Sequence, residues 1–423
     1  MAFFNIAFRE FLIYLSAYIG LFAVTFYFLS FLSKRKEKDP ELLDEKHLPV
    51  VSIIIPAWNE EKGIAGTIKS AIELDYPGDK LEIIVIDDGS TDNTYKIAKE
   101  FEKNSKQVKV YKNEKNMGKG ASMNFGIKKA RGEIIVTMDA DNIIVKGDIL
   151  KKMISNFNDP TVMCVAPTTA IYNPRGILQR IQQVEYLLGV FLRKAFSSMN
   201  AIHITSGAFS VYRKSFFEKN GYFDEEAITE DMEMALRIQY NRYRIVNDLR
   251  AIAYTIAPNK FIQLLKQRRR WYTGLIKCLL RYRFLFSKKY GAMGIIVLPV
   301  ALITVILSII LTSYVVISSI SDMKRELLLL DSVNFDFINN FELNKFVFER
   351  FFFNIFSTPV SYFFIIFVLI LIGYMFFAKR FIKEHSEIRL SLIFFIAFYS
   401  FLFAFWWLIA FIYVLFKKKV VWR

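Results

Sequence analysis

The sequence predicts an α/β domain built on a parallel sheet and set among membrane spans. Three observations predict it. Short β-branched runs, Val50–Ile55, Leu81–Ile86, Val108–Lys112 and Glu133–Met138, alternate with stretches of helical spacing; that alternation is the pattern of a parallel sheet with helices on both faces. Acids stand where two strands stop, Asp87 and Asp88 after the second and Asp139 and Asp141 after the fourth, and ligands of such sheets bind outside the carboxyl ends of the strands. The third is composition. A chain of 423 residues that is 54% hydrophobic and 16% aromatic is too apolar for one ordinary soluble domain.

The excess lies in four uncharged stretches. Phe11–Ser33 is long enough to cross the hydrocarbon core. It is too long for a secretory signal and lacks a small-residue cleavage site. Lys34-Arg35-Lys36 follows at once and places the next domain in the cytoplasm. Ala292–Ile320, Phe351–Ala378 and Leu390–Phe416 can each span as well, with Pro359 breaking the middle one into an interfacial piece and a helix from about residue 360. Four spans would put the C-terminus outside, yet Lys417-Lys418-Lys419 favours the cytoplasm. Either one stretch hides a re-entrant pair or the cluster violates the preference.

Between the strands, Glu60–Leu74 has helical spacing, and Thr91 or Asp92 can cap a helix to about Lys103. Gly118–Ala130 is a helix opened by glycines, Ile177–Phe196 is amphipathic, and Ile204–Tyr212 reads as a strand entered through Thr205-Ser206-Gly207. Thr229 is placed to cap a helix over Glu230–Asn241, with both acids in its first turn. Phe261–Phe286 is a basic amphipathic helix directly before a span, so it reads as lying in the membrane interface.

The formal net charge of +16 asks for an anionic partner. No zinc finger or RNA-binding aromatic pair is visible, so nucleic acid is not expected. Membrane-lipid headgroups and a phosphorylated substrate explain the charge better. Cys164 and Cys278, in apolar surroundings on the cytoplasmic part, are expected to form neither a disulfide nor a metal site.

Within Glu133–Asn142, Asp139 and Asp141 are spaced i, i+2 and project from one side of an extended backbone. Two carboxylates there suit a divalent cation, Mg²⁺ or Mn²⁺, that carries phosphate oxygens.

Five motifs stand in order: Ile55-Pro-Ala-Trp-Asn-Glu-Glu61, Asp87-Asp-Gly-Ser-Thr-Asp92, Asp139-Ala-Asp141, Thr229-Glu-Asp231 and Gln267-Arg-Arg-Arg-Trp271. Over roughly residues 48–285 the set resembles the membrane-integrated inverting glycosyltransferases of family 2, the group of cellulose, chitin, hyaluronan and poly-N-acetylglucosamine synthases. Thr205-Ser-Gly-Ala-Phe209 and Ile228-Thr-Glu-Asp231 look most like the poly-N-acetylglucosamine and hyaluronan branch. The resemblance implies a Rossmann-like GT-A fold over residues 49–260, after a span at 1–33 and a linker at 34–48. An interface helix at 261–290 and a membrane region of about three spans at 291–423 would follow.

The resemblance also implies roles. Asp88 would hydrogen-bond the uracil of a UDP-sugar, in a pocket lined by Pro56, Ala57, Trp58 and Glu60; Trp58 stands where the family usually has tyrosine. Lys119 would lie near the nucleotide, Asp139 would contact ribose or diphosphate and share the metal, and Asp141 would ligate it. Asp231, beside Glu230, would be the catalytic base, and Arg270 would hold the leaving diphosphate. Ser206, Gly207, Gln267 and Trp271 would form the acceptor end, leaving Arg268 and Arg269 for lipid headgroups. The implied activity is metal-dependent sugar transfer from a UDP-sugar to a growing polysaccharide. Transfer of one sugar to a membrane lipid is the alternative. Four spans are few for a channel, so an accessory membrane subunit is a conceivable partner.

Overall fold

The computed structural model describes residues 2–33, 39–144, 147–332, 359–382 and 388–418, with Glu349 and Phe353 besides. Its centre is an eight-stranded sheet of β1 (Val51–Ala57), β2 (Leu81–Asp87), β3 (Val108–Lys112), β4 (Ile134–Thr137), β5 (Ile143–Ile144), β6 (Val162–Ile171), β7 (Ser210–Arg213) and β8 (Arg244–Thr255). The order is β3-β2-β1-β4-β7-β6-β8-β5. The four strands read from the sequence pair in parallel, as expected. The sheet as a whole is mixed, because β7 runs antiparallel to both β4 and β6.

Three strands escaped the sequence reading for physical reasons. The two residues of β5 are too short to show a period. Pro167 interrupts β6, at a register shift where its missing N–H is tolerated. At the same shift Asp248 pairs with Pro167 and Ile252 with Thr168, so Leu249–Ala251 bulge out of β8. The acid there is buried and paired with Arg250 at 2.7 Å. Conversely, Ile204–Phe209 is not strand. Ser210 Oγ donates to the Ser206 carbonyl, and the Ala208 N–H donates to Ser206 Oγ at 3.2 Å; these local bonds displace a ladder.

Alternation puts Ile53 and Ile55 on one face, under α2 (Ile64–Ile72), α3 (Thr94–Asn104) and α5 (Ile149–Ser155). Ile54, Ile84 and Ile135 face α4 (Lys119–Lys129), α7 (Lys214–Asn220) and α8 (Glu230–Tyr240). Thr229 occupies the cap position of α8, but its side chain makes no capping bond. It lies against α9 (Phe261–Arg281) instead, so close that a Cβ at Gly274 would come within 2.3 Å of Thr229 Oγ1.

Among the described residues three helices are long and apolar enough to cross a membrane: Glu10–Ser33 within α1 (Ala2–Ser33), Met293–Ser321 largely in α10 (Leu298–Ser332), and Ser361–Arg380 within α11 (Pro359–Ile382). The last apolar stretch is α12 (Arg389–Phe394) and α13 (Ser400–Leu415), bent by 51° and counted as a fourth if taken as one span. Pro359 begins α11; the interfacial piece expected before it, the Lys34–Lys36 flank and Lys419 lie outside the described residues.

These candidate spans pack on the domain through α6 (Gly176–Ser198) and α9. Phe191 of α6 meets Tyr374 of α11 at 3.7 Å between ring centroids, with Phe31 of α1 beside it. Leu264, Tyr272 and Leu275 of α9 pack against Trp406 and Trp407 of α13.

Candidate active site

The loops after β1 and β2 are sewn together. The Asp88 N–H donates to the Ala57 carbonyl, the Asn59 N–H to Ser90 Oγ and the Glu60 N–H to Thr94 Oγ1. Asp88 accepts from the N–H groups of Met117 (2.9 Å) and Gly118 (2.8 Å) and from the Asn113 amide (2.8 Å). That uses three of a carboxylate's roughly four lone-pair positions and leaves one for a ligand. Asp88 lines the cleft with Pro56, Ala57, Trp58 and Glu60. Asp87, read from the sequence as a fourth acid on this rim, does not: it is fully buried in β2, because successive side chains point to opposite sides.

After β4 the chain makes a tight turn held from behind. Thr67 Oγ1 donates to the carbonyl of Ala140 at 2.7 Å, and buried Asn142 reaches the Ala208 carbonyl. Neither pin was read from the sequence. The turn presents Asp139 inward and leaves Asp141 exposed at the lip.

Lys119 sits at the centre. Its ammonium lies 2.7 Å from Asp139 and 2.7 Å from Glu230, bridging the Asp-x-Asp turn to the start of α8. Burial opposes its charge, but Asp139, Glu230 and Asp231 together raise its pKa. Gly207 leaves room for this cluster, since a Cβ there would stand 3.2 Å from both Asp139 Oδ2 and Lys119 Nζ.

Glu230 and Asp231 are driven apart. Burial works to raise the Glu230 carboxyl, but the Lys119 charge and hydrogen bond outweigh it and hold it below its usual range. Asp231 has no such partner: burial and then the Glu230 charge push it up to about 6, against the pull of Lys119 and Arg270. Asp141, accessible at the lip but flanked by the cleft walls, also rises to about 6, through the partial desolvation those walls impose and then the charges of Asp139 and Glu60. A divalent cation would relieve that crowding. Among the described residues no group of three or more acid, histidine or cysteine side chains is close enough to hold a metal alone. The two carboxylates of Asp139 and Asp141 suit a divalent cation whose remaining ligands are phosphate oxygens.

Helix α9 closes the cleft with Gln267, Arg270 and Trp271. Gln267 Oε1 is buried with no hydrogen-bond partner among the described residues. The expectation that Arg268 reaches lipid headgroups is overturned. Arg268 is 1% exposed, pairs with Glu185 of α6 at 2.5 Å, and lies 4.4 Å from the Trp271 ring and 5.7 Å from that of Trp406. Arg269 donates to the Tyr413 hydroxyl at 2.9 Å. A signal for Arg268 existed: it falls in the apolar stripe with Leu264 and Leu275, and α6 offers Glu185 as its lone acid.

The cleft encloses a cavity of about 730 Å³ that joins the sheet edge, α8, α9 and one stripe of α6. Apart from Asp87, every site residue expected from the sequence lines it, Asp231, Ser206 and Gly207 included.

Residues 52–221 match the family model described as "Glycosyl transferase family 2". The chain carries a glycosyltransferase family 2 domain. Two relatives are named "Poly-beta-1,6-N-acetyl-D-glucosamine synthase". The one from Staphylococcus epidermidis is 32% identical over 278 residues, covering 64% of this chain and 66% of its own. The one from Staphylococcus aureus strain COL is 32% identical over 273 residues, covering 64% and 65%. The match thus spans slightly less than two thirds of those relatives. Among solved structures, the mannosyltransferase PcManGT from Pyrobaculum calidifontis, in complex with GDP-Man and Mn²⁺, superposes with a TM-score of 0.58 at 20% identity. It covers 90% of this chain and 100% of its own, a likeness of fold. The glycosyltransferase domain has the mixed GT-A sheet, with helices apolar enough to cross a membrane attached to it.

Proposed function

We propose that the chain transfers a sugar from a UDP-sugar, of the UDP-N-acetylglucosamine or UDP-glucose type, with inversion, onto a growing polysaccharide. The observation that carries this reading is the split carboxylate pair: Glu230 ionised against Lys119, and Asp231 raised to about 6. Environments that push two neighbouring acids apart mark acid–base assignments. The names of the relatives support the polymer and the sugar.

The acceptor hydroxyl oxygen attacks the anomeric carbon, its proton passes to Asp231, and UDP leaves from the opposite face with the bonding electrons. Asp88 and the wall around Trp58 hold the base, and Lys119 fixes Asp139 toward the ribose or diphosphate. Asp141, with Asp139, would hold Mg²⁺ or Mn²⁺, which when bound neutralises charge on the departing diphosphate. Arg270 adds a planar guanidinium to the same end. Gln267, Trp271, Ser206 and Gly207 form the acceptor floor.

The domain is read as cytoplasmic at the plasma membrane, with α9 at the interface. The bend between α12 and α13 supports the re-entrant reading, which would bring Lys417 and Lys418 back to the cytoplasmic side. A second reading, transfer of one sugar to a membrane lipid, is favoured by the small number of candidate spans. Membranes incubated with labelled UDP-N-acetylglucosamine decide between them. Label in long polymer supports the first reading, label in extractable lipid the second, and absence of transfer from any UDP-sugar refutes both.

A further inference from the structure

One end of the cavity is not used by the chemistry above. It is walled by α6, where Tyr186, Gly189, Arg193 and Phe196 form a single stripe, with the His203 ring 5.3 Å from that of Phe196. Arg193 folds back along its own helix, its Nε–H donating to the Gly189 carbonyl at 3.2 Å. Gly189 lies directly under it: a Cβ there would stand 3.5 Å from the guanidinium, in ordinary van der Waals contact. Arg193 and Gly189 both line the cavity.

Several arginines packed inside the protein are matched by acids or carbonyl groups. Arg237, Arg250 and Arg268 each face an acid, and Arg213 donates to the carbonyls of Phe157, Asp159 and Val162. Among the described residues no carboxylate pairs with Arg193. Tyr186 is the ionisable group that faces it, and burial works against its charge. His203 is occupied through Nδ1 with the Ala201 carbonyl and is kept neutral by burial. An enclosed cation without a counter-charge is costly and is balanced by a bound anion. The surroundings say what the anion is attached to. Leu192, Phe196, Ile202 and Ile204 line the same end, and the far side of α6 packs on α1 and α11, the candidate spans.

We propose that this end of the cavity is a phosphate subsite for the acceptor: Arg193 holds the phosphate of a lipid-linked saccharide whose terminal hydroxyl is the nucleophile. The inference rests on the transferase reading and names its acceptor class. The hydroxyl oxygen bonds to the anomeric carbon, the bond from that carbon to the UDP oxygen breaks with its electrons leaving on UDP, and the proton goes to Asp231. The phosphate at Arg193 is unchanged throughout.

The test uses the full chain in phosphatidylcholine nanodiscs with UDP-N-acetylglucosamine. Two acceptor probes differ only in charge: N-acetylglucosamine linked through a phosphodiester to farnesol, and the neutral farnesyl glycoside. The expected result is a preference for the phosphodiester of at least about tenfold in kcat/KM, the lower range for a charge-assisted hydrogen bond. Arg193→Gln should reduce it to near unity and Arg193→Lys should keep part of it, both with unchanged donor KM. Equal use of the probes by the wild type, or a preference that survives in Arg193→Gln, overturns the proposal. Inorganic phosphate inhibiting as tightly as the phosphodiester overturns the lipid source. Acceptor-independent hydrolysis of the donor by the wild type separates the two readings: its absence, with no transfer, counts against the transferase itself.

Discussion

Asp231 carries both a catalytic and a thermodynamic consequence. Its replacement by asparagine should lower turnover at least about 10²-fold, the low end for loss of a general base, in a protein that still binds UDP. The same change should stabilise the ligand-free protein. Because the carboxyl is raised to about 6, the folded state holds that proton more tightly than the unfolded chain. The contribution is complete below the ordinary carboxyl range and is lost as pH rises through 6. Asp231→Asn should therefore raise Tm at pH 8, and the gain should shrink toward pH 4. A Tm difference independent of pH would contradict the assignment. Asp141 makes a parallel case: excess chelator should abolish activity, Mg²⁺ or Mn²⁺ should restore it, and Asp141→Ala should not be rescued. These residues were legible because each stands at a strand end or in the first turn of a helix. Lys119 was legible only as a neighbour of the nucleotide, since its two carboxylate partners come from segments 20 and 111 positions further along the chain.

Among the elements, α9 does most to correct the sequence reading. Its amphipathic pattern suggested one apolar side for the membrane and a basic side for headgroups, whereas the structure buries the basic triplet's first member between two tryptophans. Hydropathy sorts residues by type, so an arginine inside an apolar stripe was assigned outward even though its spacing put it inward. Three substitutions separate the roles. Arg270→Lys should lose most turnover, because a point charge cannot reproduce the planar fork, and Lys266→Ala, on the exposed side, should lose little. Arg268→Met leaves the Glu185 charge without its partner and should cost about 3 kcal/mol in unfolding measurements. Glu185→Gln added to Arg268→Met should recover part of that loss; an additive second loss would remove the pair from its structural role. Strands β6 and β8 were missed because a proline and a bulge break their period, and Thr229 was read as a cap because the packing that diverts it belongs to a distant helix.

At the scale of the molecule, the four N-terminal strands and their parallel order were legible, because each is a short apolar run. The way the domain meets the membrane region was not, because it depends on contacts between α6 or α9 and helices more than a hundred residues away in the chain. The stack of Trp271, Arg268 and Trp406 couples the two. Trp271 lines the cavity, while Trp406 belongs to the bent final stretch, so the depth at which that stretch settles would be felt at the part of the cavity proposed to hold the acceptor. Bilayer thickness then becomes a kinetic variable. Reconstituted in lipids of graded acyl length, the protein should show an optimum in turnover at nearly constant donor KM, and Trp406→Leu should flatten that optimum. Such an enzyme would read the membrane around it, slowing wherever the bilayer is too thin or too thick to seat its last helix.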